Sequence, residues 1–295
     1  MTHGHRQVLQ MAVDQVSANA RLIVGISRLG GGCISEVYRL RLIDGTELVA
    51  KLNSADHFDN FSVEACGLEL LRAANVIRVP QVIANHIILE GQAILLMEYI
   101  QPGRQHPKFQ SEFGTQLAYL HQAEAQSQFG LQVDNFIGDT EQINTPSKSW
   151  VDFFRDKRLG FQLRLASRNN LLSVSMLNLA DRLLNRLDDL LHEPAQASLI
   201  HGDLWSGNYF SDLRGAPVII DPAVYFADRE AEFGMIELFG GLGEDFFNAY
   251  NEVWPLPPGY QERFLIYKLY HLLNHLNLFG SGYLEQCVSL IKQFA

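Results

Sequence analysis

Apolar and polar positions change their period several times along this chain, and each change marks an element. Residues 6–20 read as a surface helix. From Leu22 to Leu29 the pattern becomes that of a strand, which runs into Gly30-Gly31-Gly32. Ser35–Ile43 and Thr46–Leu52 are two more strands, joined at Asp44-Gly45, a dipeptide that favours a two-residue hairpin. Asn60–Ala73 sets Phe61, Ala65, Leu68 and Leu71 at helical spacing. Pro80–Leu89 and Gln92–Ile100 predict a second hairpin, turning at Glu90-Gly91. The order is three strands, a helix, two strands. Gln101-Pro102-Gly103 then breaks the pattern and reads as a linker. Beyond it the chain is mainly helical, over 109–123, 149–168, 174–192, 230–240, 244–252, 260–278 and 282–293. The exception is 198–221, where short strands flank a loop. No internal repeat or low-complexity tract interrupts this order.

A chain of 295 residues has room for one large domain or two lobes. The net charge of −10 argues against nucleic-acid or anionic-membrane partners and permits a cationic substrate. Cys33, Cys66 and Cys287 are too few and too scattered for a disulfide framework or a zinc site, so a reducing cytoplasm is expected. The first 20 residues are polar and broken by charges, unlike a signal peptide. No run approaches the ~20 apolar residues of a membrane span.

The segment His201-Gly202-Asp203-Leu204-Trp205-Ser206-Gly207-Asn208, followed by Val218-Ile219-Ile220-Asp221, carries the chemistry. A carboxylate, an amide five residues on and a second carboxylate at a strand end are the catalytic set of a kinase. Asp203 would take a proton from a substrate hydroxyl, while Asn208 and Asp221 would hold Mg²⁺ against ATP phosphates. Upstream, Lys51 ends a strand and would pair with those phosphates, oriented by Glu64 on the next helix. Gly30, Gly31, Gly32 and Ser35 fit a loop whose amides approach an anion, although a plain hairpin loop fits them as well. The backbone of Met97-Glu98-Tyr99 stands where adenine would bind, or is a simple connection. Trp205 reads either as a platform for a sugar or cation, or as core. Cys33, among loop amides, is a candidate redox thiol that would join two subunits; an inert turn residue is the plainer reading. His271 and His275, one turn apart without a third ligand, read as core or capping residues. Trp150, Phe153, Phe154, Leu159 and Phe161 read as core, with Arg158 and Gln162 nearer a cleft. His-Gly-Asp lacks the Arg that would receive an activation-loop phosphate. Pro222-Ala223 leads within a few residues to a charged helical segment near Arg229. That leaves no room for a peptide-docking platform and favours a small or protruding substrate.

Together these residues resemble the fructosamine kinase (ketosamine-3-kinase) family, a branch of the aminoglycoside-phosphotransferase group. The resemblance rests on the segments at 30–35, 49–53, 64–68, 201–208 and 220–223, and on Glu-Leu-Phe-Gly-Gly at 237–241 and the run 270–280. It implies an α+β, bilobal, protein-kinase-like fold. Residues 1–100 would form an N-lobe of five antiparallel strands and a helix, and 101–295 a mainly helical C-lobe. It also implies ATP- and Mg²⁺-dependent phosphorylation of the sugar O3 of a free or protein-bound ketosamine, which destabilises the adduct and releases the amine. Asp203 would be the base, Asn208 and Asp221 the metal ligands, Lys51 with Glu64 the ATP ion pair, and Trp205 a sugar contact. Some members link two subunits through the glycine-loop Cys, the place of Cys33. Two alternatives stand beside this reading: a kinase for an aminoglycoside, choline-like or thio-sugar alcohol, and an inactive nucleotide-binding scaffold. One departure matters. The family carries an Asp ahead of Leu-Ala where this chain has Glu232-Phe233-Gly234, so Glu232 is expected to brace the catalytic loop instead.

Overall fold

The computed structural model describes residues 3–16, 21–30 and 35–295. Helix α1 (His3–Val16) leads into β1 (Ile23–Arg28), β2 (Glu36–Leu42) and β3 (Glu47–Ser54), then α2 (Phe58–Ala74), β4 (Val82–Leu89) and β5 (Gln92–Glu98). The five strands form one antiparallel sheet in the order β1-β2-β3-β5-β4. Its centre is covered on both faces, which is why β5 shows no polar alternation: Ala93 to Met97 are all buried. Ile94 and Leu96, with Ala50 and Leu52, meet Val8, Leu9, Ala12 and Val13 of α1. Ala93, Leu95 and Met97 face the other way, into the core shared with α2 and the helical remainder of the chain.

The two hairpins turn differently. Gly45 (φ +85°) donates to Leu42 O at 3.0 Å while Asp44 stays at negative φ and accepts from Thr46 N at 2.9 Å. The result is a turn that closes on a bulge, longer than the expected two-residue loop. At Glu90-Gly91 both residues take positive φ (49° and 74°), as a two-residue turn requires. The predicted end of the first helix, 17–20, lies outside the described residues.

Past the linker come α3 (Phe109–Ala123), three short strands that the sequence pattern missed, β6 (Ala125–Gln126), β7 (Asn135–Ile137) and β8 (Thr140–Gln142), and then α4 (Trp150–Phe153). The helix expected over 149–168 is interrupted by a π-helical turn, Phe154–Leu159, before α5 (Gly160–Arg168). The helix expected over 174–192 divides at Arg186 into α6 (Val174–Asn185) and α7 (Leu187–Leu190). Strands β9 (Ala197–Ile200), β10 (Tyr209–Ser211), β11 (Pro217–Ile219) and β12 (Tyr225–Ala227) follow, then α8 (Phe233–Phe239), α9 (Glu244–Val253), α10 (Tyr260–Phe279) and α11 (Leu284–Phe294). Arg78, just before β4, ties the sheet to this half through Asp212 and Glu98, each at 2.8 Å.

Arg158 is not near a cleft. It is fully buried, its guanidinium stacked over Tyr225 at 4.0 Å and donating to Ile143 O and Asn144 Oδ1 at 2.7 Å each. A planar, weakly hydrated cation can be held by aromatic faces and carbonyl oxygens in this way. Gln162 is buried too, donating to Asn274 Oδ1.

Candidate active site

The buried strand β9 pairs with β12 and β6 and delivers His201–Asn208 to the cleft. Gly202 (φ +81°) starts the loop; a Cβ there would lie 2.2 Å from Ala223 O, so no other residue fits. The His201 ring locks the loop against the strand carrying Asp221. Its Nε2 donates to Ile220 O at 2.8 Å and its Nδ1 accepts from Asp203 N at 3.3 Å. Burial lowers the pKa of His201, which keeps the ring in the neutral form these bonds require. From the other side the Glu232 carboxylate accepts from His201 N at 2.6 Å and Gly202 N at 3.0 Å. The longer acid does reach the loop amides.

Asn208 Nδ2 donates to Asp203 O at 2.8 Å and to Asp203 Oδ2 at 3.0 Å, so the five-residue spacing closes on itself. Asp221 sits beyond β11 at φ 55°, a left-handed conformation that Asp tolerates. Hydrogen bonds on either side hold it there, Ile220 N to Asn208 O and Ala223 N to His201 O, both 2.9 Å. In β3, Lys51 shares the face turned away from α1, and its Nζ lies 2.6 Å from Glu64 Oε1 and 2.7 Å from Asp221 Oδ1. Lys51, Glu64, Asp203, Asn208 and Asp221 thus line one cavity of about 450 Å³, together with Ser35.

Electrostatics separates these groups. Burial works against the charge on Lys51, but Asp221 and Glu64 outweigh it and hold the ammonium protonated. Asp203 is pushed well above the carboxylate range, first by burial and then by the charge of Asp221, with the Asn208 hydrogen bond acting in the opposite sense.

Trp205 lines the same cavity, as do Phe239, His275, Phe279 and Tyr283. Phe239 and Phe279 lie within the segments 237–241 and 270–280, but nothing in a phenylalanine at a helix end says that it faces a cavity. His271 is a core residue, as expected; His275, one turn on, reaches the cavity wall. Met97, Glu98 and Tyr99 are not part of this lining. Met97 is core, the Glu98 carboxylate is engaged by Arg78 and Gln81 N, and the Tyr99 ring lies under Arg39. Gly30 is exposed and outside the lining as well. Gly31, Gly32 and Cys33 lie outside the described residues. Cys66 is an exposed and Cys287 a buried free thiol.

Residues 6–295 match the family model for fructosamine kinase. A probable ketoamine kinase from Synechocystis sp. is 41% identical over 288 residues, covering 97% of this chain and 96% of that protein. The chloroplastic protein-ribulosamine 3-kinase of Arabidopsis thaliana is 40% identical over 277 residues, covering 93% of this chain and 84% of that one. A solved structure provisionally named fructosamine-3-kinase, from Thermobifida fusca, superposes with a TM-score of 0.85 at 32% identity, covering 96% of this chain and 97% of that chain. An aminoglycoside phosphotransferase solved with AMP-PNP and hygromycin B shares the fold alone, with a TM-score of 0.68 at 17% identity, covering 97% and 99%. With the family model spanning almost its whole length, this chain belongs to the fructosamine kinase family of phosphotransferases.

Proposed function

We propose that the chain is an ATP-dependent ketosamine 3-kinase that transfers the γ-phosphoryl group of ATP to O3 of a ribulosamine, erythrulosamine or fructosamine. The observation that carries this reading is the convergence of Lys51, Glu64, Asp203, Asn208 and Asp221 on one cavity whose other end is aromatic. Lys51, steadied by Glu64, turns from Asp221 to the phosphates. Asp203 orients the O3 hydroxyl and accepts its proton as the O3–P bond forms and the bond from phosphorus to the ADP oxygen breaks. A raised pKa suits a group that must take up that proton near neutral pH.

The donors present fit Mg²⁺. Asn208 spends its Nδ2 on Asp203, which leaves Oδ1 without a partner among the described residues, and Asp221 spends only Oδ1 on Lys51. Asn208 and Asp221 would hold the ion through such hard oxygens. When bound, it would neutralise charge on the ATP phosphates. The sheet of residues 1–100 and the helical part from 101 act in this reading as two lobes about the cleft. A reducing cytoplasm remains the expected setting; no helix among the described residues is long and apolar enough to cross a membrane.

An aminoglycoside acceptor is polycationic and needs an acidic rim. Here the carboxylates lining the cavity are Glu64, Asp203 and Asp221, gathered at the Lys51 end. An inactive scaffold does not call for the complete set. The test is product mass with ATP, Mg²⁺ and Nα-protected ribulosyl-lysine. The sugar gains one phosphoryl group, and Asp203→Asn lowers the rate by about 10²–10⁴-fold while the variant still folds and binds ATP. ATP binding without turnover of any ketosamine, or full activity in Asp203→Asn, would defeat the proposal.

A further inference from the structure

The segment that follows Asp221 is gripped by a buried amide network that no step of the reaction uses. Asn135 and Gln142 face each other as a register pair on β7 and β8. Asn135 Nδ2 donates to Val224 O at 2.8 Å, and Gln142 Nε2 donates to Ala223 O at 3.1 Å and to Asn135 Oδ1 at 2.8 Å. Behind them Asn144 Nδ2 donates to Asn135 Oδ1 at 2.7 Å, Arg158 to Asn144 Oδ1 at 2.7 Å, and the Tyr270 hydroxyl to Gln142 Oε1 at 2.8 Å. Asn135, Gln142, Asn144 and Arg158 are at most 4% exposed. A guanidinium can only donate, so the buried Arg158 fixes the sense of the Asn144 and Asn135 amides and points an N–H of Asn135 at Val224 O.

We propose that Asn135 and Gln142 are positioning residues that hold Asp221 in its metal-binding place by clamping the carbonyls of Ala223 and Val224. The inference rests on the reading of Asp221 as a Mg²⁺ ligand and adds what keeps it there. Asp221 takes a left-handed φ of 55°, which a residue with a side chain holds only where its surroundings fix it. Pro222 has no N–H to contribute, so the anchors after the bend lie on residues 223 and 224. The Ala223 N–H donates to His201 O at 2.9 Å, and the Ala223 carbonyl lies against Gly202, where a Cβ would come within 2.2 Å of its oxygen. The two amides hold the carbonyl side. An apolar hairpin would take these donors from buried carbonyls, and the segment would shift to find others. Helix α2 rests directly on the clamped segment: a Cβ at Gly67 would be 3.2 Å from Val224 Cγ2 and 3.4 Å from Pro222 Cγ. Gly67 lies one turn after Glu64, so the clamp also sets the helix that steadies Lys51 against the segment that carries Asp221.

The experiment follows binding of the ATP analogue AMP-PNP by calorimetry across Mg²⁺ concentrations, beside hydrogen exchange over residues 220–227 in enzyme free of nucleotide and metal. Gln142→Leu removes both donors at similar volume. Tyr270→Phe removes only the hydroxyl that orients the Gln142 amide, and it carries the test should the first variant not fold. The Mg²⁺ concentration for half-maximal AMP-PNP binding is expected to rise on the order of tenfold in Gln142→Leu, as when a group that holds a metal ligand in place is lost. In Tyr270→Phe it rises about threefold, for one hydrogen bond at one remove. Affinity for AMP-PNP without Mg²⁺ stays that of wild type, and exchange over 220–227 quickens while that of α11 does not. An unchanged Mg²⁺ dependence in the folded variants, or nucleotide binding weakened equally with and without Mg²⁺, would overturn the clamp. Neither result involves ketosamine turnover, so the clamp and the kinase reading fail separately. Wild type whose AMP-PNP binding ignores Mg²⁺ would overturn Asp221 as a metal ligand and the clamp with it.

Discussion

In the proposed mechanism a single carboxyl, Asp203, takes the proton, and its state is set by neighbours that sequence and structure name together. The spacing of Asp203 and Asn208 was legible because a five-residue loop between two strands cannot place them far apart; the structure closes them to 3.0 Å. Asp221 was legible as the end of an apolar strand. The part of His275 was not, because two histidines one turn apart on an apolar helix look alike until tertiary packing sends one into the core. The surroundings of Asp203 predict its titration in nucleotide-free enzyme. A ¹³C-labelled carboxyl at Asp203 should titrate well above the ordinary carboxylate range. Asp221→Asn removes a like charge and should lower that midpoint, whereas Asn208→Ala removes a bond to the ionised form and should raise it. An ordinary midpoint that neither substitution moves would show that burial and Asp221 do not set the state of Asp203.

Among elements, the turn into α8 carries Glu232-Phe233-Gly234 in place of the Asp ahead of Leu-Ala that the family resemblance leads one to expect. Glu232 is fully buried, accepts from the backbone amides of His201 and Gly202, and lies 3.6 Å from His121 Nε2. Phe233 stacks on Phe264 at 4.8 Å. Gly234 lets α8 lie directly on α10: a Cβ there would be 2.7 Å from the Tyr267 carbonyl carbon and 2.9 Å from Lys268 N, both backbone atoms that cannot step aside. Gly234→Ala is therefore expected to destabilise by about 1–3 kcal/mol, the usual cost of forcing atoms into a packed interface, read as a lower urea midpoint at unchanged slope. Because Glu232 caps the start of the displaced helix, kcat should fall more than KM rises. An unshifted midpoint would show that α8 and α10 have slack. This contact was invisible in the sequence, where Gly234 differs from an expected Ala by one methyl. The short strands β6, β7 and β8 escaped for another reason: two or three residues cannot display a period. The π-helical turn escaped because one widened turn barely changes helical spacing.

At the scale of the whole molecule, folding buries imidazoles whose charged form burial disfavours. His121, His201 and His271 are each at most 3% exposed, and burial lowers the pKa of all three, that of His271 to about 3 from an ordinary 6.5. A histidine with a folded pKa below its unfolded one contributes stability that is complete above about pH 6.5. That stability is lost as the pH falls, because the unfolded chain takes the proton first. Asp203 and Glu64 act in the opposite sense, since burial raises their folded pKa values and their ionisation at higher pH disfavours the fold. The total slope mixes both signs, so the clean measurement is a difference. Urea unfolding of wild type and His271→Phe should show wild type losing about 2 kcal/mol more between about pH 6.5 and pH 5, the linkage value for one imidazole kept neutral across that interval. Equal losses would mean that His271 gains its proton without unfolding. Its Nδ1, buried with no hydrogen-bond partner among the described residues, argues that it does not: an N–H at that atom would find no acceptor there, so a proton on Nδ1 is resisted by the packed core around α10.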